Sequence, residues 1–125
     1  MNYIEELGEK AKIASRELLK IGTKTKNDVL LAIADELINK KEGIKAANKI
    51  DLEKGEKNGI SFALLDRMTL TDSRIEGMAQ SLREMAAFPD PIGEVVTGWN
   101  HKNGMSITKK RVPLGVIGMI YESRP

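Results

Sequence analysis

The sequence predicts an α/β chain laid out in three stages: helices, then a hairpin, then one strand suited to a buried sheet. Three observations carry this. Apolar residues recur at helical spacing through roughly the first ninety positions. β-branched, alternating sequence takes over at Gly93 and surrounds Asn103-Gly104. A short unbroken apolar run, Pro113 to Tyr121, follows.

The helices come first. Ile4, Leu7, Ala11, Ala14 and Leu18 fall on one face, and Gly22 is a plausible stop. Thr25-Lys-Asn-Asp28 resembles a capping box with Asp in place of the usual Glu. It would open a second helix carried by Val29, Leu30, Ile33, Leu37 and Ile38 and ending near Lys41. Glu42 would open a third through Ile44, Ala47 and Leu52, closed by the polar run from Glu53 to Gly59. Ser61 to Met68 reads as a short helix. Thr71 or Asp72 can cap a last one through Ile75, Met78, Ala79, Leu82 and Met85, which Phe88-Pro-Asp-Pro91 stops.

The second stage reads as Glu94–Lys102, a turn at Asn103-Gly104, and Met105–Val112. Asn-Gly favours a two-residue type I′ turn, because both central residues need positive φ. That turn would set Trp99 opposite Thr108 and Thr97 opposite Lys110. Val95, Thr97, Trp99 and Val112 would then share one face, and Val96, Gly98, Met105 and Ile107 the other. A two-stranded ribbon is marginal alone, so the hairpin should borrow packing, most simply as a subunit contact.

The third stage resembles a strand buried on both faces of a parallel sheet. Such a strand needs a crossover and a neighbour, so the reading divides the chain into helices over 1–93, a hairpin over 94–112 and a first, truncated strand over 113–125.

Bulk composition narrows the function classes. The 125 residues carry 20 basic and 18 acidic side chains, so no nucleic-acid partner follows from charge. With no Cys, disulfides, thiolate metal sites and a cysteine nucleophile are excluded from this chain. A single histidine, His101, offers no metal-ligand spacing. No stretch reaches the ~18 apolar residues of a membrane helix, and the acidic start is no leader, so a cytoplasmic protein is the expectation.

Several positions hold candidate chemistry. Gly115 and Gly118 lack the spacing of a dinucleotide fingerprint and read as packing glycines. Lys109-Lys110-Arg111 is the densest positive cluster, and residues on a strand alternate between faces, so a solvated edge or subunit contact outweighs a polyanion surface. His101 reads as a turn-flanking side chain. Tyr121-Glu122-Ser123-Arg124-Pro125 differs in kind, because it follows the carboxyl end of the expected strand, where open α/β sheets place ligands.

Those residues also carry a resemblance. The segment Arg111-Val-Pro-Leu-Gly-Val-Ile-Gly-Met-Ile-Tyr-Glu-Ser-Arg-Pro125 is similar to the R-V-P-L-G-V-I-G-x-I-Y-E-A-R-P of the γ-glutamyl phosphate reductases, with Ser123 replacing Ala. Leu65-Asp-Arg-Met-Thr-Leu70, Ala87-Phe-Pro-Asp-Pro-Ile-Gly93 and the Ala47-Asn48…Asp51 spacing resemble further stretches of that family.

The resemblance implies an aldehyde dehydrogenase-like α/β fold, present as N-terminal helices, a hairpin and the first strand of a Rossmann-like sheet. It implies an oxidoreductase of proline biosynthesis that uses NADPH to reduce L-glutamyl 5-phosphate to L-glutamate 5-semialdehyde and phosphate, and a homo-oligomer. Ile120, Tyr121 and Glu122 would border the cofactor. Arg124 would meet the anionic substrate, an inference from its position and charge. Such reductases are several hundred residues long and use a cysteine that this chain lacks, so the sequence reads as their N-terminal part, inactive alone. The competing reading is a non-enzymatic helical interaction module with a β-hairpin arm.

Overall fold

The computed structural model describes residues 2–121. They form five helices and one hairpin: α1 (Tyr3–Leu18), α2 (Thr23–Asn39), α3 (Lys41–Lys57), α4 (Phe62–Met68), α5 (Asp72–Ala87), β1 (Val95–Asn100) and β2 (Ser106–Lys110). The described residues divide into two compact units, one of 2–23 with 89–120 and the other of 24–88 with Tyr121.

The unit built on 24–88 holds the core. Ala34 of α2 and Ile75 and Ala79 of α5 are fully buried. The last two lie four apart, where one helix face repeats. Gly55 is also buried, because α3 and α4 meet at it. A Cβ there would stand 3.0 Å from Leu65 Cδ2 and 3.2 Å from Ile60 Cδ1. Gly55 therefore lies inside α3 as a packing residue, whereas the sequence reading made it part of the helix end.

The stop is Gly59, with φ of 74°. Ile60 N donates to Gly55 O and Gly59 N to Glu56 O, both at 3.0 Å, which is the Schellman arrangement that a left-handed glycine permits.

Polar side chains fix the joint between α4 and α5. Asn48, on α3, donates from Nδ2 to Met68 O at 2.9 Å and accepts at Oδ1 from Leu70 N at 2.8 Å. Thr71 then caps α5 by accepting from Arg74 N at 3.2 Å. The Arg74 guanidinium turns back onto the end of α4, bonding Asp66 O and, at 2.6 Å, Thr69 O. Lys45 reaches Asp72 at 2.6 Å and Lys41 reaches Glu76 at 3.4 Å, tying α3 to the start of α5. Arg83 meets Asp35 at 2.9 Å and ties α5 to α2.

Two helix starts differ from expectation. α1 opens on a capping box that the apolar spacing did not announce: Asn2 Oδ1 accepts from Glu5 N, and Glu5 Oε2 accepts from Asn2 N, each at 2.9 Å. The expected box at Thr25 and Asp28 is absent. α2 starts two residues earlier at Thr23, so Thr25 is already helical. Asp28 pairs instead with Lys24, one turn back, at 2.6 Å. The Thr23 hydroxyl donates to Asp90 Oδ2 at 2.9 Å.

The hairpin is real, but its turn is not type I′. No described non-glycine residue has positive φ, whereas Gly104 has φ of 88°. His101 N donates to Met105 O at 2.8 Å and Gly104 N to His101 O at 2.9 Å, closing a three-residue loop over 102–104. This is a type I turn followed by a left-handed glycine. The extra loop residue moves the register by one, so Trp99 faces Ile107 and Thr97 faces Lys109. An irregularity between Val95 and Thr97 then brings Val95 opposite Lys110. The expected grouping of Val95 with Trp99, and of Ile107 on the other face, is thereby corrected. Trp99 and Ile107 form an aromatic–β-branched cross-strand pair instead. Beyond the ladder, Arg111 N donates to Glu94 O at 2.9 Å, and the two side chains pair at 2.8 Å.

Residues 111–121 are irregular, and β1 and β2 are the only strands among the described residues. The burial expected of the apolar run is absent: Leu114 is 89% exposed and Ile120 fully so. A strand forms only against a neighbour's N–H and C=O groups, and here β1 and β2 pair with each other.

Two stability experiments follow. Asn48→Ala leaves Leu70 N–H and Met68 C=O in partly buried surroundings without their partner, a loss of about 1–3 kcal/mol that denaturant unfolding should record. The second concerns pH. The Asp72 carboxyl is held below its ordinary 3.8, chiefly by the Lys45 hydrogen bond and further by the Lys41 charge. A depressed carboxyl stabilises the fold above its unfolded value, and that contribution disappears as pH falls through the lower folded value. Lys45 is raised above 10.5 by the same contact, so its share holds below that pH and is lost as pH rises through the folded value. Asp72→Asn should therefore flatten both limbs of the stability–pH profile, and an unchanged acid limb would contradict the pairing.

Candidate functional site

Of the expected cofactor-bordering residues, Ile120 and Tyr121 lie in the irregular segment after the hairpin, Ile120 fully and Tyr121 76% exposed. Glu122 lies outside the described residues, as does Arg124, so their expected roles are untouched by the geometry. Nothing stands within 4 Å of a Cβ built on Gly115 or Gly118. The described residues thus offer exposed apolar side chains and two unobstructed glycines at this point.

The basic cluster behaves as an edge. Arg111 is engaged by Glu94, while Lys109 and Lys110 stand exposed opposite Thr97 and Val95. His101 flanks the turn as expected, its Nδ1 2.9 Å from Asn103 Oδ1. Among the described residues no group of three or more His, Asp or Glu side chains could hold a metal ion, and no helix is long and apolar enough to cross a membrane.

Surface grooves mark the 24–88 unit. One of ≈ 360 Å³ runs between α2 and α3, floored by Val29, Ala32, Ile33, Leu37 and Ile44. At its rim Lys40 pairs with Glu36 at 2.6 Å, a contact that raises the Lys40 pKa. Another, also of ≈ 360 Å³, lies beside Lys45, Asn48 and Leu70. Asn48 is the residue whose task the sequence reading missed. The available signal was a carboxamide amid the apolar positions of a helix, where Asn is a weak helix former.

The fold and the segment order define the chain's class: the N-terminal part of an aldehyde dehydrogenase-like fold, helices followed by a hairpin. The γ-glutamyl phosphate reductase of Thermotoga maritima superposes with a TM-score of 0.84 at 33% identity, over 90% of this chain and 27% of that one. The Saccharomyces cerevisiae enzyme of the same name gives 0.79 at 28% identity, over 86% and 28%. In sequence, the γ-glutamyl phosphate reductase of Campylobacter curvus is 54% identical over all 125 residues, which is 28% of its length. That of Syntrophomonas wolfei is 55% identical over 120 residues, 96% of this chain and 29% of that protein. No protein-family model matches the sequence. The chain is homologous along its whole length to the γ-glutamyl phosphate reductases, as its terminal motif implied, and spans under a third of the length of these relatives.

Proposed function

We propose that this chain supplies the N-terminal part of a cytoplasmic, homo-oligomeric oxidoreductase of proline biosynthesis. The reaction is the NADPH-dependent reduction of L-glutamyl 5-phosphate to L-glutamate 5-semialdehyde and phosphate. The observation that carries this is 54% identity to a γ-glutamyl phosphate reductase sustained from the first residue to the last.

In this reading 113–125 enters a Rossmann-like sheet as its first strand, which would cover the apolar side chains of 114–121. Ile120, Tyr121 and Glu122 would border the nicotinamide cofactor, whose contribution is the hydride. Arg124 would hold the substrate's phosphate or carboxylate through paired N–H donors, placing the acyl carbon for attack. The acyl-transfer step calls for a thiolate, which these 125 residues do not contain. The hairpin's exposed Trp99 fits a subunit contact.

Two measurements test this. The purified 125-residue chain should show no reduction of NADP⁺ with glutamate 5-semialdehyde and phosphate, and turnover above a no-enzyme control would overturn the assignment of chemistry to a cysteine. In a full-length reductase carrying this stretch, Arg124→Ala should lose about 1.5–3 kcal/mol of charge-assisted binding, roughly tenfold or more in kcat/KM. Unchanged kinetics would make Arg124 a structural residue.

A further inference from the structure

The chain contains the tripeptide Lys-Asn-Gly twice, at Lys57-Asn58-Gly59 and Lys102-Asn103-Gly104. Both asparagines are exposed. The local backbones are alike. Gly59 N donates to the carbonyl three residues back at 3.0 Å and Gly104 N does so at 2.9 Å, with φ of 74° and 88° at the two glycines. The side chains are not alike. Asn103 Oδ1 accepts from Met105 N at 3.2 Å and lies 2.9 Å from His101 Nδ1, whereas the Asn58 side chain has no hydrogen-bond partner among the described residues.

We propose that Asn103 is a site of spontaneous deamidation, with the hairpin turn serving as the oxyanion hole. The Met105 N–H can only donate, so the side-chain atom it meets is the amide oxygen. The same oxygen faces His101 Nδ1, which donates in the tautomer carrying its proton there. The opposite tautomer would only accept from Asn103 N, at a long 3.4 Å. The bond to Met105, one residue past Gly104, holds the side-chain carbonyl over the peptide that bears the nucleophile.

The reaction balances with water alone. Gly104 N gives its proton to water and attacks Asn103 Cγ, and the carbonyl π electrons move onto Oδ1, where the two donors meet the growing charge. Collapse breaks the Cγ–Nδ2 bond. Nδ2 takes a proton from water and leaves as ammonia, giving a cyclic succinimide. A water molecule then opens the ring at either carbonyl, leaving aspartate or isoaspartate at 103. No redox change occurs. The product places a carboxylate beside Lys102, and the isoaspartyl form adds a backbone methylene to a three-residue loop that sets the strand register.

Because the flanking residues match, Asn58 is an internal reference. The purified chain is incubated at neutral pH and sampled by peptide mapping for the amide-to-acid mass gain, with isoaspartate scored by a carboxyl methyltransferase. Asn103 should convert about threefold or more faster than Asn58, well below the effect of an oxyanion donor in a closed enzyme site because this turn is open to water. In strong denaturant the two rates should converge. His101→Ala should slow Asn103 toward the Asn58 rate, the Met105 N–H remaining as a donor, while leaving Asn58 unchanged. Equal native rates, a faster Asn58, or an Asn103 rate indifferent to His101 would each overturn the proposal. The native-against-denatured comparison needs no variant, so it stands even where His101→Ala disturbs the hairpin.

Discussion

One carboxamide governs how the 24–88 unit closes. Asn48 bonds on both sides of the connection between α4 and α5, through Met68 O and Leu70 N. An amide can do this because it presents a donor and an acceptor on adjacent atoms. With Leu70 N fixed, Thr71 is in place to cap α5, and Asp72 is delivered to Lys45. The direction of α5, and hence the burial of Ile75 and Ala79, follows from that start. A hydrophobic residue at 48 could fill the space, but it would leave two partly buried backbone groups unanswered.

The core this organises is small, and much of its closure relies on the absence of side-chain bulk. Gly55 lets Leu65 and Ile60 close on α3, and Ala34 and Ala79 are the other small residues in the interior. Scarce aromatics, 4% of the chain, agree with such a design, because close helix approach takes the place of large buried rings. Salt bridges on the outside, Lys45–Asp72 and Arg83–Asp35, act mainly to select one arrangement of helices, since partly exposed pairs add little net stability.

Helical periodicity made the helices legible, because apolar spacing is a local signal. The Thr71 cap is legible because that residue acts on its own next turn. Register was not legible. Asn103-Gly104 satisfies two turn geometries, and the choice between them depends on φ at Asn103, which sequence does not print. The capping boxes show the same limit. Asn2 and Glu5 form one, whereas Thr25 and Asp28 have the spacing without it, because α2 had already begun at Thr23. The apolar run after Val112 was legible as buried-strand material. Its expected burial depends on neighbours that the described residues do not include. As for the candidate site, the family was readable from its terminal motif, while the task of Asn48 needed the three-dimensional contact.

The links that close the 24–88 unit are nested. Asn48 meets Met68 across 20 positions, Lys41 meets Glu76 across 35, and Asp35 meets Arg83 across 48. Each pair encloses the one before it, so forming the inner contact shortens the free loop that the next must close. The chain-entropy penalty of every outer step is then that of a few loose residues rather than the full separation. Such an order suits a polypeptide leaving a ribosome, where the enclosed segment emerges together and can fold from the inside outward before later sequence is made.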